Sequence, residues 1–265
     1  MIAVEGLHVT FNPGTPLERR AITGIDLTLN EGEFTTVIGS NGAGKSTLLA
    51  AIAGDVAPQR GRIRIGTRDV TRQAPARRAS RVARVFQDPL AGSCADLTIE
   101  ENLALAAMRG SRRGLGSALQ PGRRKNLRER VAELGLNLEN RMSDRMGLLS
   151  GGQRQALALV MATLAKAEVL LLDEHTAALD PGMAEFVAEL TQRLVTTHGL
   201  TTLMVTHSMR QALDLGARTI MLHEGRIVLD ITGDKRTSMT VDDLVDMFRR
   251  VRGGAELDDD ALRIG

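Results

Sequence analysis

Short, roughly alternating apolar positions in MIAVEGLHVTF and AITGIDLTLNEG, broken by Asn-Pro-Gly and Asn-Glu-Gly, predict antiparallel β structure at the N-terminus. EFTTVIG predicts a buried strand, and SNGAGKSTLLAAIAG a glycine-rich turn followed by apolar residues at helical spacing and closed by Gly54. From about Asp88 the pattern changes. Thr98 and Glu101 form a capping-box pattern before NLALAAM, and the basic stretch RGSRRGLGSALQPGRRKNLRERV follows, so a mostly helical inserted lobe is expected over about 88–163. VLLLDE and TTLMVTH are short apolar runs separated by the helical pattern AEFVAELTQRLVTTHG, the alternation of a parallel sheet with crossover helices. TIMLHEGRIVLDIT predicts a hairpin turning at Glu224 and Gly225. Residues 236–265 read as a C-terminal helix and an acidic, loose tail, AELDDDALRIG. The expected fold is α/β: a mainly parallel sheet, an N-terminal antiparallel β region and the inserted lobe, with one domain over 1–235 whose core is 1–87 and 164–235.

Composition narrows the function classes. With 265 residues, 43% hydrophobic and 25% charged, the chain can bury a sizeable core. A formal net charge of +2 gives no general attraction for nucleic acid, and none is expected as a partner. The single cysteine, Cys94, excludes an intramolecular disulfide and is expected as a small buried hydrophobe. No basic-then-apolar leader opens the chain, and its most apolar window is interrupted by Lys166 and Glu168, so no membrane span is expected.

Candidate chemistry enters with Gly39, Ser40, Asn41, Gly42, Ala43, Gly44, Lys45, Ser46 and Thr47, a glycine, four residues, Gly-Lys and Ser/Thr between a predicted strand and helix. Glycines let backbone N–H groups turn around an anion, the helix N-terminus adds partial positive charge, Lys45 adds a full one, and Ser46 can offer a hydroxyl to Mg²⁺. A glycine turn with a capping serine would explain the rest but not the lysine at this register. The core is therefore expected to be a P-loop NTPase. Acids at the end of VLLLDE would emerge where open α/β sheets bind ligands. Asp173 suits a Mg²⁺ ligand acting through water, and Glu174 suits a base for the attacking water. Ser150 and Gln153 form a second capping box, but capping does not explain Gly151 and Gly152, each costing up to about 1 kcal/mol in a helix. Close approach of an anion to that helix N-terminus would.

Together Gly39 to Thr47, Leu149 to Gln153, Leu170 to Glu174, Ala178 to Asp180 and His207 resemble an ATP-binding cassette (ABC) ATPase, over most of the chain from Met1 to about Asp230. The resemblance implies ATP and Mg²⁺ as ligands and a dimer, each nucleotide held between one subunit's phosphate loop and the other's signature residues, Ser150, Gly151, Gly152 and Gln153. It gives Asp180 an interfacial role, although Asp180 also reads as an N-cap before Pro181. It gives Gln87 a contact to Mg²⁺ and the attacking water, and His207 a hold on the γ-phosphate. Phe11 becomes the candidate for stacking on adenine, with a strand-end core phenylalanine as the alternative. His8, His198 and His223 are expected to be structural.

One cassette without a membrane segment implies separate integral membrane permease subunits docked on the helical lobe near Asp88 to Glu101, at the cytoplasmic face of the membrane. The motif phrases resemble a subgroup of uptake cassettes paired with extracytoplasmic solute-binding proteins and associated with amino acids. The competing class is a non-transport ABC protein acting on ribosomes or nucleic acid, favoured only by the basic segment Arg109 to Arg130. One residue departs from the family pattern: His175 stands where most members have proline. It is expected either as a turn residue without chemistry or as an imidazole, of ordinary pKa about 6.5, that feels Glu174 and tunes hydrolysis with pH.

Overall fold

The structure is a computed structural model and describes residues 1–111 and 119–252. Strands β1 (Ile2–Phe11) and β2 (Arg19–Leu29) pair antiparallel, after which β3 (Phe34–Gly39) starts a second sheet and leads into α1 (Lys45–Ala53). The chain returns to the first sheet as β4 (Arg60–Ile65) and β5 (Arg68–Asp69), passes α2 (Pro75–Arg78), and rejoins the second as β6 (Val82–Val85). Helices α3 (Ile99–Ala107), α4 (Pro121–Ala132) and α5 (Gly151–Leu164) form the lobe. The remaining elements are β7 (Val169–Asp173), α6 (Pro181–His198), β8 (Thr201–Val205), α7 (Met209–Asp214), β9 (Arg218–His223), β10 (Arg226–Thr232), α8 (Gly233–Ser238) and α9 (Val241–Arg252).

The antiparallel sheet runs β2-β1-β4-β5 and the larger sheet β10-β9-β3-β8-β7-β6. Within the larger sheet β9, β3, β8, β7 and β6 are parallel and only β10 is antiparallel, so the mainly parallel core is as expected. Burial follows the pattern: every residue of β3 is buried because both faces of a central parallel strand are covered. β4 alternates, with Ile63 and Ile65 inward and arginines outward. One apolar cluster (Val37, Leu48, Ile52, Leu171, Val205) fills the space between the two sheets and α1. A second joins the other face of the parallel sheet (Val85, Leu172, Met204) to the lobe (Leu103, Val131, Leu157) and α6 (Leu190).

Both capping boxes form: the Thr98 side chain accepts from Glu101 N–H and that of Ser150 from Gln153 N–H, each reciprocated. The β9–β10 hairpin turns at Glu224 and Gly225, both at positive φ (45° and 76°), as a two-residue loop with matching twist requires. Cys94 corrects an expectation: it is exposed, because its loop is held through the backbone, with Asn102 Oδ1 accepting from Cys94 N–H at 2.8 Å and Nδ2 donating to Cys94 O at 3.0 Å. Of the basic stretch, residues 112–118 lie outside the described residues, as does the acidic tail over 253–265. No helix among the described residues is long and apolar enough to cross a membrane.

Candidate nucleotide site and its partner surface

Strands β3, β8 and β7 are adjacent and parallel, so their C-terminal ends open on one edge of the sheet. That edge collects the phosphate loop after β3, Asp173 and Glu174 at the end of β7, and His207 just after β8. Gly39 and Gly44 are required by close approach: a Cβ would stand 2.3 Å from Leu222 O at the first and 2.5 Å from Ala21 O at the second. Gly44, at φ 103°, caps α1, and the first α1 bond runs from Leu48 N–H to Gly44 O. The N–H groups of Lys45, Ser46 and Thr47 are thereby left without intrahelical acceptors and suit an anion. Ala43 is buried, whereas Asn41 and Gly42 are exposed and Ser40 half-buried on the rim. The Lys45 ammonium is buried and donates to Gly39 O at 2.7 Å and Ser40 O at 3.1 Å. Burial pushes its pKa down, against the raising effect of Glu174 and Asp173.

Ser46 Oγ donates to Asp173 Oδ1 at 3.2 Å, joining two residues the sequence assigned to Mg²⁺. Among the described residues no cluster of three or more His, Cys, Asp or Glu is arranged to hold a metal. A hydroxyl and one carboxylate beside a phosphate cradle nevertheless fit Mg²⁺, which usually takes one or two carboxylates together with substrate phosphates. Glu174 adopts the left-handed region at φ 47°, and its N–H donates to Val205 O at 3.0 Å, tying the ends of β7 and β8 together. Its Oε1 lies 2.6 Å from His207 Nε2. Behind this pair the Gln211 Oε1 accepts from Thr176 Oγ1 at 2.9 Å and from Thr206 Oγ1 at 3.1 Å, fixing both turns to α7. Gln87 is exposed just beyond β6, and Phe11 is exposed at the end of β1, so the core alternative for Phe11 is not realised. Its cross-strand partner is Arg19, whose Nη2 reaches to 3.6 Å from a Cβ placed on Gly42.

Of the two readings of His175, the structure favours the turn residue without chemistry. His175 is 2% exposed and turned onto α6, with Nε2 2.9 Å from Thr191 Oγ1, and so is not placed against Glu174. Burial pushes its pKa down to about 4, leaving a neutral ring. His8 Nδ1 lies 2.9 Å from Gly6 O, and His198 Nε2 lies 3.1 Å from Arg130 Nη2.

Ser150, Gly151, Gly152, Gln153 and Asp180 form a second cluster at the starts of α5 and α6, where Asp180 caps α6 by accepting from Met183 N–H at 3.1 Å. Among the described residues no hydrogen bond or ion pair joins this cluster to the phosphate loop. The two glycines differ. A Cβ on Gly152 would stand 2.6 Å from Met183 Cε and 3.2 Å from its Cβ, so packing within the chain already explains this glycine. One on Gly151 would meet only Leu179 at 3.9 Å.

Sequence reasoning missed Arg84 and Gln211, whose partners Asp173 and Thr176 lie 89 and 35 residues away, Arg19 beside Gly42, and Arg78, whose buried guanidinium donates to Ala51 O and Ile52 O. A groove of about 500 Å³ between the parallel sheet and the lobe was also unforeseen; Asp55, Arg84, Phe86, Cys94 and Leu105 are among its lining residues.

The ABC transporter family model matches residues 22–177. The chain is 41% identical over 250 residues, 94% of its length and 98% of the relative's, to a tyrosine transport ATP-binding protein of Clostridioides difficile. It is 36% identical over 206 residues to the thiamine import ATP-binding protein ThiQ of Yersinia pestis, covering 77% of this chain and 82% of that one. A solved dimeric ATP-binding cassette in a post-hydrolysis state, bound to ADP and Pi, superposes with a TM-score of 0.75 at 27% identity, over 88% of this chain and 98% of that chain. With the family match spanning more than half of the sequence, and the phosphate loop standing beside Asp173 and Glu174, the chain belongs to the ABC transporter family.

Proposed function

We propose that this chain is the ATP-binding and ATP-hydrolysing subunit of an importer, lying on the cytoplasmic face of the membrane, with an amino acid as its cargo. The observation that carries hydrolysis is the Glu174 carboxylate, 2.6 Å from the His207 imidazole, at the sheet edge that also presents Lys45 and the Ser46-Asp173 pair. The phosphate-loop amides and Lys45 would hold the nucleotide phosphates, with Phe11 against the base. Ser46 and Asp173 would hold Mg²⁺, with Gln87 reaching it from the lobe side. When bound there, Mg²⁺ would supply positive charge to the phosphate oxygens. Glu174 orients a water and takes its proton as the water oxygen bonds the terminal phosphorus and ADP leaves. His207 keeps that carboxylate in place and offers its N–H to the terminal phosphate.

Separation of the signature cluster from the phosphate loop supports a homodimer in which Ser150, Gly151, Gly152, Gln153 and Asp180 close on the partner's nucleotide. The groove beside Gln87 supports docking of a membrane permease subunit, and with the core taken as 1–87 and 164–235 and the lobe as 88–163 it would lie at their junction. The importer reading and its amino-acid cargo lean on the tyrosine transport relative, and imply a solute-binding protein outside the cell. Charge on the basic helix is met locally, Arg124 by Glu100 and Arg130 by Glu133, which weighs against nucleic acid. Glu174→Gln should lower ATP turnover by about a hundredfold or more while keeping ATP binding, and ATP should then convert it to a stable dimer in light scattering. Turnover at the wild-type rate would remove Glu174 from the mechanism.

A further inference from the structure

Arg84, on β6, stands between the groove and the nucleotide site. Its Nη2 donates to Asp173 Oδ2 at 2.8 Å, its Nη1 to Asp55 Oδ2 at 2.7 Å, and its guanidinium carbon lies 4.6 Å from the centroid of the Phe86 ring. Asp173 is thus held from both sides: Arg84 occupies Oδ2, and Ser46 directs Oδ1 into the phosphate cradle. A freely rotating carboxylate would present either oxygen, whereas this one presents a single oxygen toward the place where Mg²⁺ would bind. The arrangement is not the one packing alone would choose. The Arg84 Nε is buried without a hydrogen-bond partner, an unmade bond that an apolar side chain in this apolar wall would avoid.

We propose that Arg84 is a positioning residue that fixes the Asp173 carboxylate for Mg²⁺ and joins it to the wall of the groove. The proposal rests on the reading of this site as an ATPase. Its other two anchors belong to the groove: Asp55 follows α1, and Phe86 directly precedes Gln87. Anything that shifts Phe86 on filling the groove therefore moves the guanidinium that holds Asp173. Groups that orient a metal ligand from behind typically change metal affinity by about 10–100-fold when removed.

The test measures ATP binding by calorimetry in excess Mg²⁺ and in EDTA. Arg84→Met should shrink the gain in ATP affinity that Mg²⁺ confers by about tenfold and leave affinity in EDTA unchanged, with Arg84→Lys in between. Asp55→Asn, which removes one anchor without touching Asp173, should shift the same quantity in the same direction by less. Combining Arg84→Met with Asp173→Asn should add nothing to the loss seen with Asp173→Asn alone. A lower melting temperature with an unchanged Mg²⁺ response would show a wall residue only, and a stronger Mg²⁺ response would show Arg84 competing with the ion; either overturns the proposal. If wild-type protein binds no ATP in either condition, the ATPase reading itself fails, a separable outcome.

Discussion

The His175 imidazole is set by the hydroxyl it meets. Thr191 Oγ1 gives its one proton to Val187 O at 2.8 Å, so it accepts from His175 Nε2–H, and Nδ1 is a buried lone pair with no partner. Protonating Nδ1 would place an uncompensated charge inside the chain, which is why the pKa falls to about 4. The unfolded chain, with a pKa of about 6.5, takes up this proton first. Stability from this residue is therefore complete above about pH 6.5 and is lost as pH falls toward 4, amounting at most to about 3 kcal/mol. Nucleotide-free wild type should lose urea resistance between pH 7 and 4.5 more steeply than His175→Gln, which keeps an amide near Thr191 and does not titrate; equal slopes would refute the linkage. The signature glycines separate structure from function at the same scale. Gly152→Ala should cost about 1–3 kcal/mol by pressing on Met183. Gly151→Ala has room and should melt like wild type, yet lose ATP-driven dimerisation if that backbone faces the partner's phosphate.

Helices α1 and α5 share a design at the scale of elements. On the ATPase reading each would offer its N-terminus to phosphate, α1 to the chain's own nucleotide and α5 to the partner's. Each also carries an arginine on its C-terminal carbonyls: Arg78 Nη1 on Ala51 O and Ile52 O (2.6 and 2.9 Å), and Arg109 Nη2 on Ala162 O and Ala165 O (2.9 and 3.0 Å). These cations meet the negative ends of the two helix dipoles and satisfy carbonyls that have no partner within the helix. Arg78 is 1% exposed and gives two further bonds, to Gln73 O and Thr71 O, so Arg78→Met leaves several buried carbonyls unpaired. A loss of about 2–4 kcal/mol in urea unfolding is expected, and a loss below 1 kcal/mol would show that the cap is dispensable. The phosphate cradle, both capping boxes and the hairpin at Glu224 were legible because their partners lie within a few residues. Arg84 and Asp173 are 89 residues apart, and no local pattern announces such a pair. The inward turn of His175 was hidden likewise, since the deciding Thr191 lies 16 residues on, on α6. Strands β4 and β6 went unread, although the Arg/Ile alternation of RGRIRI carried the signal for the first.

For the whole molecule, the importer reading requires that closing of two nucleotide sites be felt by a membrane partner, and on that reading the two would meet where the groove adjoins Phe86. The parallel sheet gives the phosphate loop, Asp173 and Glu174 a rigid edge, while the lobe carries the signature on α5. Buried Gln155 of α5 donates to Phe86 O at 3.3 Å, so signature helix and groove share a hydrogen bond. A partner seated in the groove would lie against Leu105 and Cys94, both exposed in the isolated chain. Because Cys94 is the only cysteine in the sequence, it reports on that surface without mutation. Maleimide should label the isolated subunit rapidly with or without ATP, since none of the groove's lining residues belongs to the phosphate loop or to the cluster at the starts of α5 and α6. Assembly with the membrane subunits should slow labelling by about tenfold or more, comparable to the shielding expected of an interface of ordinary size. Equal labelling of free and assembled protein would place the permease elsewhere, and protection by ATP alone would mean that the groove closes in the dimer.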